Sequence, residues 1–176
     1  MTYTIEKIAT LIGARRYGEA ITVVGWLLTD SRSLCFPEQT LFFALRTQRN
    51  DGHQYIDELY RRGVRSFVVE QLPADYAGRY AEANFLRVPS PMAALQRLSE
   101  RHRDEFNIPV VGITGSNGKT WVKEWLYQLL SGVAQPPTPD EGTLEGPSEA
   151  DQCRSLNVTR SPRSYNSQIG VPLSVW

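Results

Sequence analysis

The chain has 176 residues, a hydrophobic share of 41%, and nineteen basic against nineteen acidic side chains. That length leaves room for one good-sized domain, or a small domain plus part of another, and the even charge argues against nucleic acid as the main partner. No run of about 18 apolar residues predicts a membrane span, and the N-terminus MTYTIEKIATLIGARR lacks the basic region, apolar core and small-residue cleavage site of a secretory signal. A cytoplasmic location is expected. Cys35 and Cys153 are too far apart in sequence to read as paired metal ligands, and two free thiols in a reducing cytosol is the plain expectation.

In chain order, Ile5, Ile8, Leu11 and Ile12 recur at helical spacing, with Gly13 as a stop. Residues 20–26 (AITVVGW) are rich in β-branched side chains and predict a strand. The polar turn Thr29-Asp30-Ser31-Arg32 follows, then a second strand over 40–45 (TLFFAL). Residues 51–62 predict a helix with Tyr55, Ile56, Leu59 and Tyr60 on one stripe, Arg61 and Arg62 in its last turn, and Gly63 as cap. Residues 66–70 (SFVVE) and 85–88 predict two more strands. Ser90-Pro91 supplies an N-cap and a first-turn proline to a helix that carries Met92, Leu95 and Leu98 and runs to Asp104. His102, on its charged end, reads as surface.

Alternating strands and helices predict an α/β fold, with helices packed on a sheet. The boundary falls near residues 104–107, which gives a small N-terminal α/β domain over 1–106. A second unit over 107–176 opens with a strand at 108–114 (IPVVGIT), a GSNG loop and a helix KTWVKEWLYQLL, as the start of a P-loop α/β ATPase domain. Residues 132–160 are dense in Pro, Gly and acid and predict a disordered insert, because they cannot bury enough apolar surface to offset the entropy of ordering.

The loop Thr114-Gly115-Ser116-Asn117-Gly118-Lys119-Thr120 sits between a predicted strand and a predicted helix, the context a phosphate-binding loop requires. Gly115 and Gly118 supply turns that aim backbone N–H groups at phosphate, and the helix adds its positive N-terminal end. Lys119 can reach β and γ phosphates, and the Thr120 hydroxyl is placed for Mg²⁺. The spacing departs from the common GxxxxGK[ST], since Ile113 stands where a glycine is expected and Gly112 is one residue early.

TGSNGKT followed by Lys123-Glu124 resembles the ATP loop of the Mur ligases, the ATP-dependent amide ligases of peptidoglycan synthesis. TDSR (Thr29 to Arg32), TLFFAL, NDGHQYI (Asn50 to Ile56) and GVRSFVVE resemble, in order, that family's N-terminal substrate domain. NSQIGVPLS (Asn166 to Ser174) resembles its N-N-x-I-G-x-P-L segment. The resemblance covers nearly the whole chain outside 131–160. Val122-Lys123-Glu124 and IGVPLS favour the last ligase of the series, which joins D-alanyl-D-alanine to UDP-N-acetylmuramoyl-tripeptide through an acyl phosphate. The alternatives are the ligase that adds the third residue, and a non-catalytic P-loop nucleotide-binding module. In some bacteria the last ligase is fused to an alanine racemase, which this sequence leaves open; a monomer is expected otherwise.

The resemblance implies ATP and Mg²⁺ as cofactors, with Lys119 catalytic, residues Thr114 to Thr120 and Asn166 toward ATP, and Thr120 on the metal. It also implies that Thr29, Asp30, Ser31 and Arg32 line the UDP-sugar pocket, with Asn50, Asp51, Gly52 and His53 as a second lip. The residues alone also allow a capped turn at Asp30-Ser31, and allow His53 merely to cap the following helix. Trp121 and Val122 stand where the family commonly has two threonines, and Ser167 where it often has a second Asn. The family's remaining acidic Mg²⁺ ligand, carbamylated lysine and adenine pocket match nothing here, so this chain alone is expected to form no amide bond.

Overall fold

The computed structural model describes residues 2–48, 50–131, 158–161 and 167–176. Residues 132–157 of the predicted disordered insert, including Cys153, and Asn166 therefore lie outside the described residues. The chain divides into two compact units: Met1–Asn107 with Asn166–Trp176, and Ile108–Tyr165.

The first unit is built on a five-stranded sheet. Its strands are β2 (Arg15–Tyr17), β4 (Trp26–Leu28), β5 (Thr40–Phe43), β6 (Ser66–Val69) and β7 (Asn84–Arg87), in the order β2-β7-β6-β5-β4. β4, β5, β6 and β7 are mutually parallel, and β2 closes one edge antiparallel. β5 and β6 are buried at every position, which explains why they read as unbroken apolar runs, as strands covered on both faces do. Side chains alternate across the sheet. Leu41, Phe43, Val68 and Leu86 face α1 (Ile5–Ile12) and α4 (Pro91–Asp104). Phe42, Phe67, Val69 and Phe85 face α2 (Ile56–Arg61), Tyr76 of α3 (Tyr76–Arg79) and Tyr80 just after it. The result is a three-layer α/β/α unit.

Local chemistry sets the helix limits. Thr4 caps α1 by accepting from the Lys7 N–H at 3.3 Å, and Gly13 ends it at φ 67°, a left-handed conformation that glycine adopts without penalty. Ser90 accepts from the Ala93 N–H to open α4, with Pro91 at the first position.

Several expectations need correction. The single strand expected at 20–26 is two: β3 (Val23–Val24) pairs antiparallel with β1 (Tyr3–Thr4), whereas β4 beyond Gly25 joins the main sheet. The predicted helix 51–62 begins as a 3-10 turn at Gly52–Tyr55, and α2 proper spans Ile56–Arg61. His102 is not at the surface: it is 4% exposed, hydrogen-bonded to the Tyr3 hydroxyl at 2.8 Å and flanked by the rings of Phe106 and Trp176. Burial lowers its pKa from the usual histidine value.

Residues near the chain end pack in this unit too. A short helix α6 (Gly170–Val175) contacts α4, Ile169, Leu173 and Trp176 add to the α1/α4 core, and Trp176 Nε1–H donates to the Gly25 carbonyl at 3.2 Å.

The second unit is centred on α5 (Lys119–Leu130). Residues 108–114 join neither sheet, contrary to the expected strand, and Ile108, Val110 and Val111 are each more than half exposed. Strand geometry is held by a neighbour's hydrogen-bond ladder, and among the described residues of this unit there is no second strand. No described residue of α5 is buried; Trp121, Trp125 and Leu129 are 69%, 60% and 77% exposed. On α5, Lys123 Nζ donates to the Ser161 carbonyl at 3.1 Å, and Arg160 pairs with Glu124 and lies 4.3 Å over the Tyr127 ring.

Candidate functional site

In an open parallel sheet the strands' carboxyl ends converge on one edge, where ligands bind in α/β folds. Here that edge collects four loops. Thr29 to Arg32 follow β4, residues 44–53 follow β5, Glu70 to Pro73 follow β6, and Val88 to Ser90 follow β7. The two segments singled out in the first unit, 29–32 and 50–53, thus follow neighbouring strands.

Asp30 caps a 3-10 turn over Ser31–Ser33, accepting from the Arg32 N–H at 3.1 Å. Its carboxylate also takes a two-pronged contact from the Arg32 guanidinium, Nε at 2.9 Å and Nη2 at 2.6 Å. These bonds from Arg32 lower the Asp30 pKa to about 2. The Arg32 side chain is 87% exposed. The loop is tied down from below by Arg62, which donates to the Ser31 carbonyl at 2.9 Å and pairs with Glu58. Thr29 is half-buried.

The second lip is more tightly knit. Gly52 is buried, and its N–H donates to the Leu45 carbonyl at 2.8 Å. A Cβ there would lie 2.8 Å from both Ala44 Cα and Leu45 N, so only glycine fits. Asp51 caps the following 3-10 turn by accepting from the His53 N–H at 3.0 Å. The His53 Nδ1 lies 2.6 Å from Asp51 Oδ1, and His53 Nε2 faces the Glu70 N–H at 3.2 Å. Arg46 donates to Asp51 Oδ2 through Nε at 3.0 Å and Nη2 at 2.9 Å. The His53 N–H above all, then the His53 and Arg46 side chains, lower the Asp51 pKa to about 2. Asn50 is held by the Thr47 hydroxyl and accepts from Gln54 and Tyr55. A pocket of about 290 Å³ lies alongside, lined by Arg46, Asp51, His53, Gln71, Leu72 and Tyr80 among others. A larger hollow of about 510 Å³ between α4 and α6 holds none of the described candidate residues.

Sequence reasoning passed over Arg46, Glu70, Tyr55 and Arg62. Arg46 and Glu70 follow or end apolar strands, and in a parallel sheet the residues just past the strands' carboxyl ends are the ones to inspect.

In the second unit Gly115 and Gly118 both hold positive φ, 148° and 77°. Gly118 is the N-cap of α5, so Lys119 and Thr120 open the helix. The Lys119 ammonium donates to the Gly115 carbonyl and so folds back over the loop. Thr114, Ser116, Asn117 and Thr120 are exposed, and nothing lies within 4 Å of a Cβ placed on Gly118. The loop is open, its backbone turns are glycine, and its lysine and hydroxyl sit at a helix N-terminus: this donor set fits a polyphosphate and its divalent cation.

No protein-family profile matches the chain. A UDP-N-acetylmuramoyl-tripeptide–D-alanyl-D-alanine ligase from Haemophilus influenzae is 30% identical over 169 residues, 96% of this chain and 32% of the relative. Among solved structures, MurF from Acinetobacter baumannii matches at a TM-score of 0.72 and 24% identity over 99% of this chain and 33% of its own, a likeness of fold. The MurF ligase of Thermotoga maritima in complex with ADP matches at 0.61 and 28% identity, over 85% of this chain and 28% of its own. The chain spans about a quarter to a third of the length of the curated relatives it matches. These matches place the protein in the Mur ligase family.

Proposed function

We propose that this chain is the substrate-holding and phosphate-loop part of a cytoplasmic, ATP-dependent amide ligase that joins D-alanyl-D-alanine to UDP-N-acetylmuramoyl-tripeptide. The observation that carries the reading is the strand-edge pairing of the 29–32 and 50–53 loops in a chain that also carries TGSNGKT. The first unit would hold the UDP-sugar. Arg32 supports this role: its guanidinium is exposed yet already oriented by Asp30, and its fork matches phosphate oxygens.

ATP with Mg²⁺, when bound, would supply the phosphoryl group that activates the tripeptide carboxylate as an acyl phosphate for attack by the dipeptide amine. Residues 114–120 would cradle the phosphates through backbone N–H groups. Lys119 would leave the Gly115 carbonyl to neutralise phosphate charge, and Thr120 would offer its hydroxyl to the cation. Removing such a positioned charge typically costs about 10²–10³ in rate. Asn166 is assigned here on its motif alone, as a residue of the ATP side.

Titration of the chain with UDP-N-acetylmuramoyl-tripeptide, with UDP-N-acetylglucosamine as control, tests the reading. Selective binding weakened by Arg32→Ala is expected, and absence of binding by folded protein would refute it. We further propose that the 176-residue chain forms no amide bond by itself, because, among the described residues, 108–114 join neither sheet and α5 buries no side chain. Phosphate release that requires both substrates would overturn this.

A further inference from the structure

The polar atoms of the 50–53 lip are not equally available to a ligand. Asp51 Oδ1 takes the His53 N–H and faces His53 Nδ1, and Oδ2 takes two donors from Arg46. His53 Nε2 faces a backbone N–H, that of Glu70. An imidazole nitrogen facing an N–H must carry its lone pair, so the proton sits on Nδ1 and is donated to Asp51. His53 is thereby used at both ends inside the protein, and its side chain is 16% exposed. It staples the loop after β5 to the end of β6.

Arg46 is the contrasting group. It follows directly on the buried run that ends at Leu45, its side chain is 46% exposed, and it lines the pocket at the strand edge. Asp51 engages its Nε and Nη2, whereas its nearest acid on the other prong, Glu70, stands 4.0 Å from Nη1. A guanidinium has five N–H donors in a rigid fork, so this one is oriented by an anion on one side and keeps donors for a ligand on the other.

We propose that Arg46 is an anion-contacting residue of the nucleotide-sugar site, taking a phosphate of the ligand, and that Asp51 and His53 are positioning residues that aim it. This inference rests on the UDP-sugar reading above. It assigns Asp51 and His53 an indirect role in place of the direct contact that the motif implies. An anion arriving at Arg46 shares the guanidinium with Asp51 rather than displacing it, because the fork can serve two acceptors at once.

The test measures Kd for UDP and for uridine with the folded chain and its Arg46→Gln, Arg46→Lys and His53→Ala variants. Folding of each variant is checked by circular dichroism. The wild type is expected to prefer UDP, and R46Q to lose about ten- to a hundredfold of UDP affinity, the range for hydrogen bonds to charged groups, with uridine affinity unchanged. R46K should keep part of the preference, since it retains the charge without the fork. H53A should weaken UDP as well, and in an R46Q background it should add little, because it acts through Arg46. The imidazole ¹⁵N signals of wild-type His53 should report the Nδ1–H tautomer with and without UDP. An unchanged UDP-to-uridine ratio in R46Q, or a His53 tautomer that switches when UDP binds, would overturn the inference and leave the UDP-sugar reading standing. No UDP binding by folded wild type would overturn both.

Discussion

Replacing Gly52 by alanine tests whether the loop after β5 is built on close backbone approach. The new methyl would sit 2.8 Å from Ala44 Cα, 2.8 Å from Leu45 N and 2.9 Å from Ala44 C. These are main-chain atoms at the carboxyl end of a central strand, so no rotamer change can make room. Overpacking of this kind costs about 1–3 kcal/mol. The retreating loop would also stretch the 2.8 Å bond from the Gly52 N–H to the Leu45 carbonyl, worth about 1 kcal/mol. We expect a loss of about 2–4 kcal/mol in urea unfolding and a fall in Tm on the order of 10 °C, with weaker UDP-ligand binding because Asp51 and His53 move with the loop. Gly112→Ala is the control, since nothing lies within 4 Å of a Cβ there. A Gly52→Ala protein within about 0.5 kcal/mol of wild type, the range of neutral surface changes, would refute the packing argument.

Asp30 and Asp51 each have a folded pKa of about 2 against an ordinary 3.8. Their contribution is therefore present above about pH 4 and lost as the pH falls through 4 toward 2. Both side chains are at least 40% exposed, so screening holds each to less than about 1 kcal/mol; urea midpoints between pH 5 and 2 should fall less steeply in Asp51→Asn. Arg32→Ala should leave the urea midpoint essentially unchanged, as the loss of an exposed pair does, while lowering UDP-ligand affinity about tenfold or more; unfolding and calorimetry separate the two effects. Trp176 packs at a tilt against His102 at 4.7 Å and Tyr3 at 5.1 Å, so Trp176→Ala should cost about 1–3 kcal/mol, below the 3–5 of a fully buried ring, and should raise amide exchange at the end of α4.

Much of the first unit was legible in one dimension because its signals are local. Gly13 after a helical stripe, Ser90-Pro91 before one, and the apolar runs at 40–43 and 66–69 each carry their own physical reason. The missed pieces are those whose structure depends on a distant partner. β1 and β3 are two residues each and exist only as a pair. His102 is buried because Tyr3 and Trp176, remote in sequence, close over it. Residues 108–114 have the composition of a strand, yet they join neither sheet among the described residues.

The candidate site divides along the same line. Turn chemistry, capping and phosphate binding each demand particular side chains at short spacing, so TDSR, NDGH and GSNGKT are legible as loops; only resemblance to the Mur ligases marked the first two as candidate UDP-sugar contacts. The sequence determined that these loops exist. Tertiary structure alone decided which side chains remain available. Parallel pairing of β4, β5 and β6 sets the loops along one edge, and there Asp51 and His53 spend their polar atoms on Arg46 and Glu70. The physical reason is that a hydrogen-bonding group can serve a ligand only with donors and acceptors that the fold has not already satisfied, and that count depends on neighbours contributed by strands far apart in the chain.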